Sequence, residues 1–341
     1  MRVMRRPIFF LLALFSIWAT FLAAGQKTAS PKNTIRLIPV LTISDEALAG
    51  DKFGDILDLA LDGQGALYVC DGRAGNIKKF EGTGAFVGTI GKSGPGPGEF
   101  GKPGEVEVHG DRVFVRDLGN PRISLFDLDG KFLSSAPIND KEGEWRRFRA
   151  LPDGRFIVET EFIDRANVNA SPEMRLVLYA ADFSRLKTIF RKLISRNEFI
   201  TEPARRNDLP PFAASVEWDL TPEGTIVVGS SGNYEIEILD PDKGKVRSWM
   251  HHFSPKAINE PAFERFMVNG RGRIWAFLPP ADPKAKAVFE AFDPDGTFRG
   301  RVTCEDEWPR SALVVFFVGG VWMATSGADG GMRVVRYQIT N

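Results

Sequence analysis

The sequence predicts an all-β fold, a six-bladed β-propeller of four-stranded antiparallel blades. A pattern of short apolar strands and Gly-rich turns occurs twice in succession, over residues 58–80 and again over residues 105–126. Its period is roughly 45 residues, which is typical of one propeller blade. The last repeat is one strand short, whereas an apolar segment over residues 34–43 precedes the first repeat without a partner. A ring closed by that N-terminal strand accounts for both features.

The N-terminal residues are typical of a secretory signal peptide. Arg2, Arg5 and Arg6 precede an apolar run over residues 8–18, and small residues at 23–25 provide a cleavage site. We therefore expect a signal peptide over residues 1–25, a propeller domain over residues 26–341, and a secreted or periplasmic protein. The run is shorter than the ~20 residues of a membrane span, so no stable span is expected after cleavage. An uncleaved anchor is the alternative, and no cysteine follows the run to carry a lipid.

Composition limits the classes of partner. The chain has 341 residues, with 44 Lys and Arg against 44 Asp and Glu, so it lacks the basic surplus of a nucleic-acid-binding protein. We therefore expect no nucleic-acid partner, and we expect a monomer. Cys70 and Cys304 lie in different repeats, where their Cα atoms are not expected within the ~7 Å that a disulfide requires. Two free, largely buried thiols are predicted.

Four weaker copies of the repeat follow the first two. Their innermost strands begin near Phe148, Glu217, Phe266 and Leu313. The last copy ends with a strand over residues 333–339, and residues 34–43 are predicted to pair with it as the outermost strand of the sixth blade. This pairing removes an exposed sheet edge, and Pro39 is compatible with an outermost strand because one side of that strand is unpaired.

The first two repeats resemble the six-bladed propellers of the NHL-repeat family. The resemblance covers residues 58–132 and includes the linker Gly94-Pro95-Gly96-Pro97-Gly98-Glu99-Phe100, which is similar to that family's Gly-Pro-Gly-Glu-Phe connection between blades. The other four blades match by strand-and-turn pattern. The resemblance implies a binding scaffold in most cases and an enzyme in some branches of the family.

The connections between strands divide the predicted propeller into two faces. The turns within each a–b and c–d strand pair are short and Gly-rich, and they define a short-turn face. The b–c loops and the connections between blades define a long-loop face; the long ones span residues 135–144, 163–173, 194–215 and 278–286. Loops on a rigid scaffold commonly carry function, so the long-loop face is the predicted binding face.

Strand a, the innermost strand of each blade, alternates between apolar and charged residues with a period of two. The apolar positions are predicted to be buried between blades; they are Leu59, Val106, Phe148, Trp218 and Phe266. The charged positions are predicted to line the central channel and its mouth in two tiers; they are Asp58, Glu105, Arg147, Glu217 and Arg265, followed by Glu107, Arg149 and Asp219. Four b–c loop residues are expected to surround the same opening: Arg73, Asn76, Arg116 and Asn120.

Two interpretations of these charges remain open, a ligand site and a structural network of salt bridges. His109, His251 and His252 do not form a zinc site by their spacing. The oxygens of Asp58, Glu105, Glu217 and Asp219 suit calcium, but Arg147, Arg149 and Arg265 oppose a dication, so no metal and no cofactor is predicted.

The function predicted from the sequence is that of a secreted, non-catalytic scaffold. It is expected to engage a protein, peptide or glycan on its long-loop face, and no catalytic residues are assigned. The alternative is a propeller-type lyase or lactonase that uses a metal bound in the channel.

Overall fold

The structure is a computed structural model. It describes residues 33–48, 50–138, 143–164, 166, 171–194, 215–252, 261–279, 285–306, 308, 313–327 and 330–340. The predicted signal peptide lies outside the described residues, as do residues 195–214 and parts of the other long connections. Within the described ranges, no helix has the length and apolarity needed to span a membrane.

The described chain consists of six four-stranded blades, so the predicted fold class is confirmed. Strand β1 (Asn33–Ile43) and a short 3-10 helix (Asp45–Leu48) precede the first blade. Blade 1 contains β2 (Ile56–Leu61), β3 (Leu67–Asp71), β4 (Asn76–Phe80) and β5 (Phe86–Ile90). Two short strands in the linker, β6 (Lys92–Ser93) and β7 (Glu99–Phe100), pair in parallel.

The next three blades each use four consecutive strands. Blade 2 contains β8 (Pro103–His109), β9 (Arg112–Asp117), β10 (Arg122–Asp127) and β11 (Phe132–Pro137). Blade 3 contains β12 (Glu144–Ala150), β13 (Phe156–Phe162), β14 (Glu173–Tyr179) and β15 (Arg185–Leu193). Blade 4 contains β16 (Val216–Leu220), β17 (Ile226–Ser230), β18 (Glu235–Asp240) and β19 (Gly244–Met250).

The last two blades share one continuous sheet through β1. Blade 5 contains β20 (Arg265–Val268), β21 (Ile274–Phe277), β22 (Val288–Phe292) and β23 (Phe298–Cys304). Blade 6 contains β24 (Leu313–Phe317), β25 (Gly320–Ser326) and β26 (Met332–Thr340), with β1 as its outermost strand. Strand a is the first strand in sequence in blades 1 to 5. In blade 6, strand a is β24, because β1 is the outermost strand of that blade.

Strand β1 closes the propeller as predicted. It pairs antiparallel with β26, where Leu37 lies opposite Ile339 and Ile43 opposite Val334. The register shifts between Pro39 and Leu41, which places the irregularity beside the proline. The sequence did not predict a second contact, in which the first residues of β1 pair in parallel with β23 and Ile35 lies opposite Cys304. Strand β1 therefore ties blade 5 to blade 6.

A hydrophobic cluster lies between each pair of neighbouring blades in the described chain, including the last and the first. The predicted apolar positions of strand a are all buried and each lies in a different cluster; they are Leu59, Val106, Phe148, Trp218 and Phe266. The period-two alignment of strand a is thus confirmed. Cys70 and Cys304 are free and buried, also as predicted.

We expect loss of one strand-a aromatic side chain to destabilise the fold strongly. Phe266→Ala or Trp218→Ala removes a ring that is at least 97% buried between blades. The free energy of unfolding should fall by about 3–5 kcal/mol in each variant. Leu186→Ala is the control, because that side chain on β15 is 46% exposed and should cost little. Denaturant unfolding measures both, and unchanged midpoints in the two aromatic variants would contradict the packing described here.

Closure by β1 predicts a difference between its two faces. Leu37→Asp places a charge in the cluster between blades 5 and 6, whereas Val40→Asp places one on the exposed side of the same strand. We expect Leu37→Asp, like deletion of residues 34–43, to expose the edge of β26 and cause aggregation. Val40→Asp should remain soluble and folded. Size-exclusion chromatography with light scattering distinguishes the two, and equal behaviour would argue against closure by this strand.

Candidate functional site

A central cavity of about 580 Å³ lies where the six innermost strands meet. Strand a of blades 1 to 5 contributes charged side chains to its wall because these residues alternate with the buried apolar positions. All eight charged residues predicted for the channel line this cavity; they are Asp58, Glu105, Glu107, Arg147, Arg149, Glu217, Asp219 and Arg265. The structure therefore brings together side chains from five blades.

Three of the carboxylates bind the backbone of the neighbouring blade. Asp58 Oδ2 accepts the Val106 N–H at 3.1 Å, and Asp219 Oδ2 accepts the Val268 N–H at 2.9 Å. Glu105 Oε2 accepts the Phe148 N–H at 3.3 Å. Each acceptor is on strand a of one blade and each donor is on strand a of the next. Strand a pairs with strand b on one side only, so these carboxylates satisfy N–H groups that the sheet leaves free.

The arginines are held by carboxylates and by aromatic rings. Arg149 Nη1 donates to Glu107 Oε1 at 2.5 Å, and its Nε lies 3.7 Å from Asp219 Oδ1. Arg149 therefore joins blade 3 to blades 2 and 4.

Arg147 and Arg265 each lie over a ring. The Arg147 guanidinium donates to the Trp218 carbonyl oxygen and lies 4.6 Å from the centroid of the Trp218 ring. Its Nε is 3.8 Å from Glu159 Oε2, which also accepts the Trp218 indole N–H at 2.7 Å. The Arg265 guanidinium lies 4.8 Å from the centroid of the Phe277 ring.

Burial raises the pKa of several cavity carboxyls. It is the largest cause of the raised pKa of Glu105, Glu107 and Glu217, which reaches about 7 in each case. Burial also raises the pKa of Asp58. Burial alone would lower the pKa of Arg149, but the surrounding carboxylates, Glu107 foremost, raise it above its ordinary value. Three glutamates thus change charge near neutral pH while Arg149 stays positive.

The expectation that four b–c loop residues surround the opening is not met. The residues that line the cavity do not include Arg73, Asn76, Arg116 or Asn120. Arg116 lies within β9, where its Nη1 donates to Glu105 Oε1 at 2.8 Å. The Asn120 amide donates to Gly94 O at 3.0 Å and to Asp117 Oδ2 at 2.9 Å, so it holds the linker. Asn76 Oδ1 accepts from Lys78 Nζ at 3.1 Å, and Arg73 is exposed in a turn.

Strand pairing explains the error. Cys70 lies opposite Asp58 and Arg116 lies opposite Glu105, so Arg116 corresponds to Cys70 and not to Arg73. The matching residues are the aspartates that end strand b, Asp71 and Asp117. Both are buried, and both accept several backbone N–H bonds from the connection before the blade and from the turn after it. An aspartate followed by Gly-rich turn residues in both repeats was the signal in the sequence.

The sequence analysis missed Arg146 in the cavity lining, Glu159 beside the cavity, and the apolar wall that blade 6 contributes. Glu159 lies on strand b of blade 3, where nothing in the repeat pattern marks it, yet it binds the indole of Trp218. Blade 6 contributes no charge to the wall; its lining residues are Leu313, Val314, Val315 and Phe316. The apolar composition of this strand was visible in the sequence and is the feature that distinguishes blade 6 from the other five.

The carboxylates of the cavity do not fit a divalent cation well. Asp58, Glu105 and Asp219 already accept backbone N–H groups, and Arg149 lies between Glu107 and Asp219. Over the described ranges, no group of three or more His, Cys, Asp or Glu side chains is placed to hold a metal ion. His251 lies away from the cavity lining, packed against aromatic rings and 3.6 Å from Glu290 Oε2.

Comparison with known proteins supports a β-propeller that is similar to NHL-repeat proteins. Residues 52–141 match the DUF5128 family model, which is described as a 6-bladed beta-propeller. The human NHL repeat-containing protein 3 is 26% identical over 169 residues, covering 46% of this chain and 49% of that protein. The chain thus spans about half the length of the curated relatives it matches. The resemblance to NHL-repeat propellers is confirmed.

Solved structures support the same architecture. A Bacteroides fragilis protein superposes with a TM-score of 0.55 at 11% identity, covering 90% of this chain and 95% of the other. A member of the DUF4221 family from Bacteroides vulgatus gives a TM-score of 0.52 at 11% identity, covering 91% of this chain and 100% of the other. Likeness at 11% identity concerns the fold alone.

We expect stability to fall as the pH rises from 5 to 8. The folded-state pKa of about 7 for Glu217 exceeds the 4.5 of an exposed glutamate, so its contribution is present below pH 4.5 and lost as the pH passes 7. Glu217→Gln should reduce the dependence of unfolding free energy on pH by the equivalent of about one bound proton, because glutamine mimics the protonated form. Glu223→Gln, on the exposed short-turn face of the same blade, is the control. Denaturant midpoints across the range measure the slope; an unchanged slope in Glu217→Gln would contradict the raised pKa.

Proposed function

We propose that this protein is a secreted or periplasmic, non-catalytic binding scaffold. Its partner, a protein, peptide or glycan, engages the long-loop face at the mouth of the central cavity. The observation that carries the proposal is the convergence on a single cavity of nine charged side chains from five blades, the eight predicted ones and Arg146. The first tier of these charges stands near the start of strand a, which is the end that the connections between blades reach.

The contacts within the cavity support binding more than catalysis. Asp58, Glu105 and Asp219 are engaged by backbone N–H groups, and Arg149 is engaged by two carboxylates. Such groups are held in fixed positions, and a rigid polar site of this kind suits recognition. The same contacts join neighbouring blades, so we propose that the charges serve both stability and recognition.

The second candidate function is a propeller-type lyase or lactonase. One observation favours it, the presence of three glutamates whose pKa lies at about 7 in the same cavity. Groups that titrate near neutral pH suit general acid–base catalysis. A purified protein that holds stoichiometric calcium or zinc, and loses an activity on lactones when the metal is removed, would favour the enzyme over the scaffold.

The test of the binding function is a pair of matched double variants. Arg147→Gln with Arg265→Gln changes two cavity arginines in blades 3 and 5. Arg155→Gln with Arg273→Gln changes two arginines in the same blades that pair with Asp242 and Asp293 beside short turns. Peptide and glycan arrays, probed with the native chain, provide the ligand.

We expect the cavity variant to lose at least about 1.4 kcal/mol of binding free energy, a tenfold weaker dissociation constant, while the control variant binds as the native chain does. Thermal unfolding of both variants separates loss of binding from loss of fold, because Arg147 also contacts Trp218. Equal binding by the two variants would place the partner elsewhere on the propeller.

A further inference from the structure

The cavity has two chemically different sides. Most of the charged side chains come from blades 2, 3 and 4, and they include Glu107, Arg149 and Asp219, whereas blades 1 and 5 contribute one each, Asp58 and Arg265. The opposite side is formed largely by blades 5, 6 and 1, whose lining is mostly apolar and includes Met267, Val314, Phe316 and Leu61. A volume of about 580 Å³ is in the range of small-molecule pockets and exceeds what a bare ion needs. The volume and the division of polarity both suit an amphipathic molecule.

Three of the four arginines that line the cavity are already compensated by carboxylates of the protein. Arg149 lies between Glu107 and Asp219, and Arg147 lies over the Trp218 ring beside Glu159. Arg146, which also lines the cavity, pairs with Glu144 and Glu161 outside it. An anionic ligand bound to any of these three would therefore have to displace existing ion pairs, at the cost of leaving carboxylates unpaired.

The carboxylates, in contrast, outnumber the arginines that reach them. Those in or beside the cavity are Asp58, Glu105, Glu107, Glu159, Glu217 and Asp219, whereas the arginines that reach them are Arg116, Arg147, Arg149 and Arg265. Above pH 7, where Glu105, Glu107 and Glu217 are ionised, the excess of negative charge lies in a partly dehydrated space, where an added cation interacts strongly. Glu217 is on blade 4, at the boundary between the charged side and blade 5. Blade 5 is followed in the ring by the apolar strand of blade 6.

We propose that the cavity binds an organic cation with an apolar body, whose ammonium or guanidinium group lies beside Glu217 and whose body packs against Met267 and Phe316. This inference rests on the proposed binding function, because it specifies the ligand chemistry of the same cavity. It applies equally to a free amine and to the lysine or N-terminal amine of a peptide. Both present a positive charge on an alkyl or aromatic stem.

The test is calorimetric titration of the full chain with three matched series of probes. The cations are hexylammonium and 2-phenylethylammonium; the neutral controls are hexanol and 2-phenylethanol; the anions are hexanoate and 3-phenylpropionate. The titration is done at pH 8, above the pKa of about 7 at which Glu217 ionises in a setting that includes Arg147, Glu159 and Arg265. We expect each cation to bind at least about tenfold more tightly than its alcohol or carboxylate.

Three variants and one chain-length series locate the ligand. Glu217→Gln should weaken cation binding about tenfold, and Glu223→Gln on the short-turn face should leave it unchanged. Affinity should rise about fourfold per methylene from butylammonium to hexylammonium if the body contacts the apolar side, and Met267→Gln should reduce that increment. The alcohols should be insensitive to Glu217→Gln, since they carry no charge.

Several outcomes would overturn the inference. Equal binding by the three series, tighter binding by the carboxylates, or no cation binding at millimolar concentration would each do so. Binding of calcium chloride without binding of any ammonium probe would replace it with a metal site. A ligand from the arrays could fail to bind the Arg147 and Arg265 double variant and also resist displacement by the ammonium probes. That result would support the proposed binding function and contradict this inference. Binding of a lysine-containing peptide that hexylammonium displaces would support both.

Discussion

The free inner edge of strand a is the constraint on which the centre of this propeller depends. Each innermost strand pairs with one neighbour and turns its other edge toward the axis, where backbone N–H groups need acceptors. Asp58, Glu105 and Asp219 supply them by reaching from one blade to the backbone of the next. The charges on strand a are therefore part of the assembly of the ring. Burial beside that edge raises the pKa of Asp58 and of Glu105, although the backbone hydrogen bonds that they accept act in the opposite direction.

The structural and binding interpretations of these charges are consequently compatible. A carboxylate that accepts a backbone N–H has a fixed position, and side chains fixed in this way determine the shape of a cavity and the electric field within it. Arg149 illustrates the point, since one guanidinium connects carboxylates of blades 2 and 4 while lining the cavity. The apolar strand of blade 6 breaks the regular alternation, and this break gives the cavity two distinct sides.

The sequence predicted most of the fold because the repeat and its period-two alternation are local patterns. Leu59 and Phe266 were placed correctly, although their blades share little sequence, because burial depends on the alternation and not on identity. Contacts between strands distant in sequence were not predicted. No periodic pattern in the sequence indicates the parallel pairing of Ile35 with Cys304 or the hydrogen bond from the Trp218 indole to Glu159. The match between Arg73 and Arg116 failed because resemblance of residue type was used where only strand pairing fixes equivalence.

Closure by β1 has a consequence for how the chain folds during synthesis. Leu37 pairs with Ile339, so one of the first strands to leave the ribosome cannot pair until one of the last has been synthesised. Blades 1 to 4 are built from strands consecutive in sequence and can form as they emerge, whereas the ring is completed by a contact that spans nearly the whole chain. Until then β26 presents an open edge to any neighbouring chain. Two copies that exchange their first strands at this stage would form an intertwined dimer with the same contacts.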